Sequence, residues 1–314
     1  MFTLPFSLDE IGVHYDIKPG VAGRVLIYDG DFLAYAIASK YKTLATCVRH
    51  YQQCVLEAMF LAQCDSATVH LTGAPNYKAG RHRTLGVQPY QGNRRGKPKP
   101  ALLEPLRQAM GYSDNWLPAF NVVLHYDREA DDGMMTQAYS LRDRGIIRSG
   151  DKDLRMTPYP YFDEGTGMVL TLPPGSFGWT GEAFTPSGNR KLTGHGPKFF
   201  WLQMLSGDRA DHIKGIIKLD GKSCAEAGAV AALADLNDPD DVANFVLDAY
   251  RAIDQNPLPE AYCLWLLRWP DDSVSNAFSE RRLSAANLLF LADCYRRRWF
   301  IPDDEYDAGA EYED

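Results

Sequence analysis

Four short apolar runs constrain the fold of this chain more than any other feature. They lie at 25–28, 67–71, 121–125 and 145–149. Each is short, rich in Val and Ile or bounded by turn residues, and reads as a strand. Between the first two lies a helical pattern over 32–37 and a longer one over 44–64, where Val48, Tyr51, Val55, Met59 and Phe60 recur every three to four residues. Helical patterns at 101–110 and 130–142 separate the later runs. Strands alternating with helices predict an α/β sheet, mainly parallel, with right-handed crossovers. Asp31, just after the first run, reads as the N-cap of the helix that follows.

Beyond residue 150 the pattern changes. Residues 159–172 are aromatic and β-branched enough for strands or a hairpin, 175–197 are rich in turn residues, and 198–205 form a short helix. Helices are expected at 224–233, 241–253, 260–267 and 281–298. The expected organisation is an α/β domain over 1–205, a helical region over 206–302 packed against it, and an acidic tail over 303–314. That tail carries Asp303, Asp304, Glu305, Asp307, Glu311, Glu313 and Asp314, and reads as a solvated segment.

A net charge of −8 counts against a nucleic-acid partner, but the distribution of charge decides binding more than its sum, and the tail accounts for much of the excess. No apolar run approaches the roughly 20 residues of a membrane span, and no basic-then-apolar leader opens the chain. A cytoplasmic protein is expected. The six cysteines include no Cys-x-x-Cys pair, which argues against a zinc ribbon or a thioredoxin-type centre and for reduced, packed thiols.

The carboxylates fall where such a sheet would use them. Asp29 ends the first strand; Glu129, Asp131 and Asp132 follow the third; Asp151 and Asp153 follow the fourth; Asp208 and Asp211 follow the short helix. Ligands of open α/β sheets lie beyond the carboxyl ends of the strands. A single Asp there is most simply a helix cap or turn residue. Four clusters, three of whose acids crowd one turn at 129–132, exceed what capping needs. Crowded carboxylates raise one another's pKa unless a cation sits among them. Oxygen-only ligands select hard ions such as Mg²⁺ or Mn²⁺, and pairs of such ions suit phosphoryl chemistry. Neither a phosphate-binding Gly-x-x-x-x-Gly-Lys-Ser/Thr loop nor a His-Glu-x-x-His pattern is present, which leaves phosphodiester cleavage as the natural reaction class.

Residues 75–100 read as a long loop or mobile helical segment, and loops of that length are usually functional. Lys78, Arg81, Arg83, Arg94, Arg95, Lys97 and Lys99 lie there without an acidic residue, interleaved with Tyr77 and Tyr90. Cations bind phosphates and aromatic rings stack on unpaired bases. For 94–99 a plain solvated loop is a reasonable alternative. Lys78 and Arg81, just beyond the second strand, would reach the edge where the carboxylates gather.

These residues, taken in order, resemble the motifs of the 5′–3′ exonuclease and flap-endonuclease superfamily, most of all its short bacteriophage members. Ile27-Tyr28-Asp29-Gly30-Asp31 is similar to the first acidic motif, and Tyr77-Lys78-Ala79-Gly80-Arg81 to the Tyr-Lys-x-x-Arg signature at the base of the helical arch. Glu129-Ala130-Asp131-Asp132, Asp151-Lys152-Asp153 and Gly207-Asp208-Arg209-Ala210-Asp211 resemble the remaining acidic motifs. The likeness runs from Asp29 to Asp211.

It implies a PIN-like (resolvase-like) fold with a helical arch and a helix–turn–helix-like duplex clamp, acting on DNA as a monomer. Two or more Mg²⁺ or Mn²⁺ ions are implied, with Asp29, Glu129, Asp131 and Asp132 serving the catalytic ion and Asp151, Asp153, Asp208 and Asp211 the second. Lys78 and Arg81 would meet the scissile phosphate. Tyr77, Arg83, Arg94, Arg95, Lys97, Lys214 and Lys222 would touch DNA. Residues 213–222 would form the clamp, where backbone carbonyls hold a K⁺, although a plain connection between helices accounts for the same residues. Blunt ends, flaps, nicks and RNA–DNA hybrids remain open as substrates. A junction-binding protein without catalysis and, more remotely, a phosphatase of small esters are the competing classes. One departure stands out: the family carries an acid just after the second strand, where this chain has Leu71-Thr72-Gly73-Ala74. That ligand is missing, shifted, or replaced by a water held by Thr72; Asp65 lies at the strand's wrong end.

Overall fold

The computed structural model describes residues 20–306 apart from 113–115, 117–118, 185–187 and 189. The expected tail beyond residue 306 lies outside the described residues.

The sheet is organised around β1 (Val21–Asp29). Leu26, Ile27 and Tyr28 are all fully buried, the mark of a parallel strand covered on both faces. Six strands run in the order β3–β2–β1–β4–β5–β6. β2 (Cys64–Thr72), β3 (Phe120–His125), β4 (Gly145–Arg148) and β5 (Tyr161–Asp163) continue the parallel register. β6 (Met168–Leu170) returns antiparallel, forming the hairpin expected at 159–172.

Alternation along β1 divides the interior. Leu26 and Tyr28 enter a core with α1 (Gly30–Lys40), α2 (Leu44–Leu61) and α3 (Leu103–Gly111). Ile27 enters the opposite core, shared with α4 (Ala130–Leu141), α5 (Lys198–Ser206), α6 (Glu226–Leu233), α7 (Pro239–Ala252), α8 (Leu258–Leu264), α9 (Ser275–Ser279) and α10 (Ala285–Arg296). The helical region thus packs on the second face of the sheet, and its core runs without a break across residue 205.

Local details differ from the sequence reading in three places. The cap of α1 is Asp29, whose carboxylate accepts from Phe32 N, and not Asp31. Phe60 is 58% exposed although it follows the helical period; the buried stripe of α2 runs through Cys47, Tyr51, Val55 and Ala58. The turn-rich stretch 175–197 holds an antiparallel hairpin, β7 (Trp179–Phe184) and β8 (Arg190–His195). All six cysteines are free thiols. No helix among the described residues is long and apolar enough to cross a membrane.

Residues 75–100 lie as a strap across the molecule. They contain two 3₁₀ turns, Lys78–Arg83 and Gly92–Arg94, and no α-helix, where the resemblance implies a helical arch. Asn76 ties the strap's base to β3 through the carbonyls of His125 and Arg128. Glu260 on α8 accepts from Val87 N, and Tyr262 on α8 donates to Ala79 O. Gly and Pro interrupt any helical repeat here, so side-chain and backbone contacts fix the segment instead.

Candidate active site

Because β1, β2, β3 and β4 are parallel, their carboxyl ends share one edge, and β1 marks the point where successive connections diverge to either side. Asp29 stands at that point, 3% exposed, accepting from Phe32 N and Ser149 Oγ. Gly30 follows because a Cβ there would lie 2.4 Å from His70 O and 2.7 Å from the Tyr51 hydroxyl. Glu129 caps α4, with Asp131 and Asp132 in its first turn. Asp151 follows β4 and accepts from Asp153 N. Asp208 and Asp211 follow α5, where Asp208 exchanges backbone hydrogen bonds with Ile213.

The electrostatics show how closely these groups are gathered. Burial, then the charges of Asp29, Asp151, Glu129 and Asp31, push Asp131 well above the usual carboxylate range. Asp29 is pushed up to about 6, mainly by burial, with Asp31 and Asp151 adding to the rise. Asp211 also rises to about 6, chiefly through burial and against the pull of Arg94, with Glu129, Asp208 and Asp151 contributing. Burial, with Asp208 among the neighbouring charges, raises Asp151 and Asp153 as well. Asp29, Asp131 and Asp151 therefore lie within electrostatic reach of one another, and Asp151 within reach of Asp208. Asp153, Asp208 and Asp211 each offer an oxygen within 4.8 Å of the others.

Several neighbours were not anticipated. Lys152 reaches both Asp153 (3.0 Å) and Asp208 (2.8 Å). Burial alone would raise Asp208, but Lys152's charge and hydrogen bonds bring it below the normal range. Only the lysine's place within Asp-Lys-Asp hinted at this. Asp31, which reads as a cap in the sequence, accepts from Thr72 N at 3.1 Å and lies 3.0 Å from Arg107. Its carboxylate thus reaches the end of β2, where the sequence supplies no acid. Thr72 Oγ1 is engaged with Ala130 N. Gln91 and Tyr90, on the strap, both hydrogen-bond Glu129.

Arg81 and Asp132 are engaged with each other. Arg81 is 2% exposed and Asp132 fully buried, and they form a bidentate pair with both contacts at 2.7 Å. Arg81 also donates to Trp265 O and lies 3.3 Å from Glu129. Asp132 accepts in addition from Leu267 N and Glu129 N. The guanidinium is thus directed at protein acceptors, and Asp132's oxygens at protein donors. Lys78's ammonium hydrogen-bonds Gln91 Oε1 and lies 4.0 Å from Glu129, with a side chain 35% exposed.

The other cations are dispersed. Arg94 pairs with Asp211 at the pocket rim. Arg95 and Lys97 are exposed further along the strap, Lys222 is exposed and Lys214 half-buried beyond α5. Gly215 O, within the expected clamp, accepts from Gln255. Tyr77 is exposed, whereas Arg83 is buried beneath it, stacked on Phe300 and bonded to Ile301 O. Both Tyr77 and Arg83 engage Asp303, so the acidic tail begins as a docked segment. The pocket's donors are oxygens from several buried carboxylates held at raised pKa, which is the donor set and the charge deficit that a hard divalent cation satisfies.

Fold and site together define a class: a mainly parallel α/β sheet with an acidic crevice at its carboxyl edge, crossed by a basic strap and backed by helices. Solved structures of the bacteriophage T5 flap endonuclease share the fold. A variant of that enzyme, in a pseudo-enzyme–product complex with DNA and metal ions, matches with a TM-score of 0.50 at 15% identity, over 87% of this chain and 98% of that one. The same protein co-crystallised with metal ions gives 0.49 at 15%, and a mutant T5 5′-exonuclease 0.45 at 14%, with the same coverage. This chain has the T5 exonuclease fold. No protein-family model matches the sequence, and no curated protein matches it.

Proposed function

We propose that the chain is a divalent-metal-dependent nuclease that hydrolyses DNA phosphodiesters from a 5′ end. The observation that supports this reading is the gathering of buried carboxylates: Asp29, Asp151 and Glu129 raise Asp131, Asp153, Asp208 and Asp211 each offer an oxygen within 4.8 Å of the others, and Lys78 lies 4.0 Å from Glu129. A pocket of that charge is costly without cations. The T5 flap endonuclease, which shares the fold, is a DNA- and metal-binding protein in its solved complex.

Bound Mg²⁺ or Mn²⁺, two ions or more, would activate water and offset charge on the leaving oxygen. Asp29, Asp131 and Asp151 would hold the ion nearest β1, with Glu129 beside them; Asp153, Asp208 and Asp211 would hold the second. Lys78 would neutralise the scissile phosphate. Asp132 and Arg81 would act behind them, orienting Glu129 and fixing the start of α4. Tyr77, Arg94, Arg95 and Lys97 on the strap, with Lys214 and Lys222 beyond α5, would guide the DNA, and a K⁺ held at the clamp would touch the duplex. We assign the enzyme to a monomer working in phage DNA replication, within the host cytoplasm.

The test is cleavage of a 5′-labelled duplex with Mg²⁺, abolished by EDTA. Asp131→Asn is expected to lower the rate by at least about a thousandfold, in the range of losing a main electrostatic element, while DNA affinity stays within about threefold. Retained cleavage in that variant would refute the assignment. A second reading, junction binding without cleavage, draws on the ion pairs that Lys152 and Arg94 make with Asp208 and Asp211. DNA binding without Mg²⁺-dependent cleavage would favour it.

A further inference from the structure

We propose that Gln91, on the strap, is a positioning residue that holds Lys78 ready over the carboxylate pocket and keeps Glu129 from closing on it. The proposal rests on the nuclease reading above for the meaning of Lys78. It rests on the geometry for the tether itself.

Gln91 lies where the strap crosses the pocket. Its side-chain oxygen accepts from the Lys78 ammonium. Its side-chain nitrogen lies 3.1 Å from Glu129 Oε1, 3.0 Å from Asp211 Oδ1 and 3.2 Å from the Tyr90 hydroxyl. Its backbone N–H donates to Asp211 O at 2.9 Å. One side chain thus joins a cation to two carboxylates that arrive from different parts of the chain.

Only a carboxamide can do this. The ammonium needs an acceptor and the carboxylates need donors, and among neutral side chains of this length Gln alone presents a strong acceptor and two strong donors on one rigid plane. A lysine would satisfy the acids and repel Lys78; a glutamate would hold Lys78 and repel the acids. Asparagine is shorter by one methylene.

Two further observations point the same way. Gln91 has φ of 53°, a left-handed conformation that is unfavourable for a non-glycine residue and persists only where surroundings hold it. A glycine at this same position would carry the turn without strain, so the side chain is what the position keeps. Tyr90 is buried and donates to Glu129 Oε2 at 2.7 Å, leaving Gln91 to engage Oε1. Lys78 lies 4.0 Å from that same oxygen. Without Gln91, ammonium and carboxylate are free to close into a contact pair, which would take Lys78 from the phosphate and Glu129 from the pocket together.

The experiment compares Gln91→Met, which keeps the length and removes the polarity, with Gln91→Glu, which keeps only the acceptor. In Gln91→Met, kcat on a 5′-labelled duplex should fall about tenfold, equivalent to about 1.4 kcal/mol, with KM within about twofold. In a Lys78→Met background the same substitution should cost almost nothing further, since the two side chains act as a unit. A purely structural role would make the losses add. Independently of cleavage, the acetylation rate of Lys78, mapped by mass spectrometry against Lys152 as internal reference, should fall by more than about threefold in Gln91→Met, as the ammonium closes on Glu129, and should fall also in Gln91→Glu, where the new carboxylate holds it directly. Wild-type kcat in Gln91→Met, additive losses in the double variant, or unchanged Lys78 acetylation would each overturn the proposal. An inactive wild type would contradict the nuclease reading alone, and the acetylation comparison would still decide the role of Gln91.

Discussion

Asp131 and Asp132 stand side by side at the start of α4 and meet opposite surroundings. Asp131 faces other carboxylates, which with burial raise its pKa well above normal. Asp132 is fully buried against the guanidinium of Arg81. Their neutral variants should therefore part company. Asp131→Asn relieves repulsion and should leave metal-free stability equal or higher. Asp132→Asn strands a buried cation and should cost about 3–5 kcal/mol. Urea denaturation of both variants in EDTA checks this, and equal destabilisation would contradict the distinction. Nothing in the sequence separates the two acids, because the partner that decides the matter lies 51 residues earlier on the strap. Asp29 and Asp31 are indistinguishable in the sequence for a similar reason. Either can cap a helix from its position, and only the approach of Thr72 N and Arg107 to Asp31 reveals which one is otherwise engaged.

At the level of elements, the strands that carry the site were legible because parallel strands buried on both faces must be almost continuously apolar. The hairpin β7–β8 was not, since its half-exposed strands, with Gly and charged residues among them, read as turns. The strap was legible as an irregular basic segment, but its contacts with Glu129 and Asp211 depend on folding that composition does not encode. α4 connects these elements, and Gly133 sets how closely it lies on the sheet. A Cβ there would fall 2.2 Å from the imidazole of His125 and 2.9 Å from His70 Nδ1. Those rings are stacked, with His70 hydrogen-bonded to His125 at 2.9 Å and to Gln137 at 2.7 Å. Gly133→Ala should cost about 1–3 kcal/mol, as overpacking does, and should weaken Mn²⁺ binding by displacing the helix start that bears Asp131. Thermal denaturation and a Mn²⁺ titration check the two effects; wild-type values in both would show that α4 has room to move.

For the whole molecule, the acidic pocket links stability to pH and to metal. Asp29 and Asp211 titrate at about 6 in the metal-free protein, above the roughly 4 of an unfolded aspartate. The folded chain therefore keeps protons that the unfolded chain releases. The stability contributed by these groups is full below about pH 4 and is lost as pH rises through about 6. A divalent cation replaces those protons, so the rise in melting temperature on adding Mg²⁺ should be larger at pH 7 than at pH 5, as scanning calorimetry can show. An equal rise at both pH values would contradict the linkage. The central claim is more local: carboxylates from the ends of two strands and two helices gather to bind divalent cations. Crystals soaked in Mn²⁺ and measured for anomalous scattering test it most directly. The account predicts peaks bounded by Asp29, Asp131 and Asp151 and by Asp153, Asp208 and Asp211. Mn²⁺ bound only at other acidic groups, with this pocket left to Lys152, Arg94 and Gln91, would contradict it.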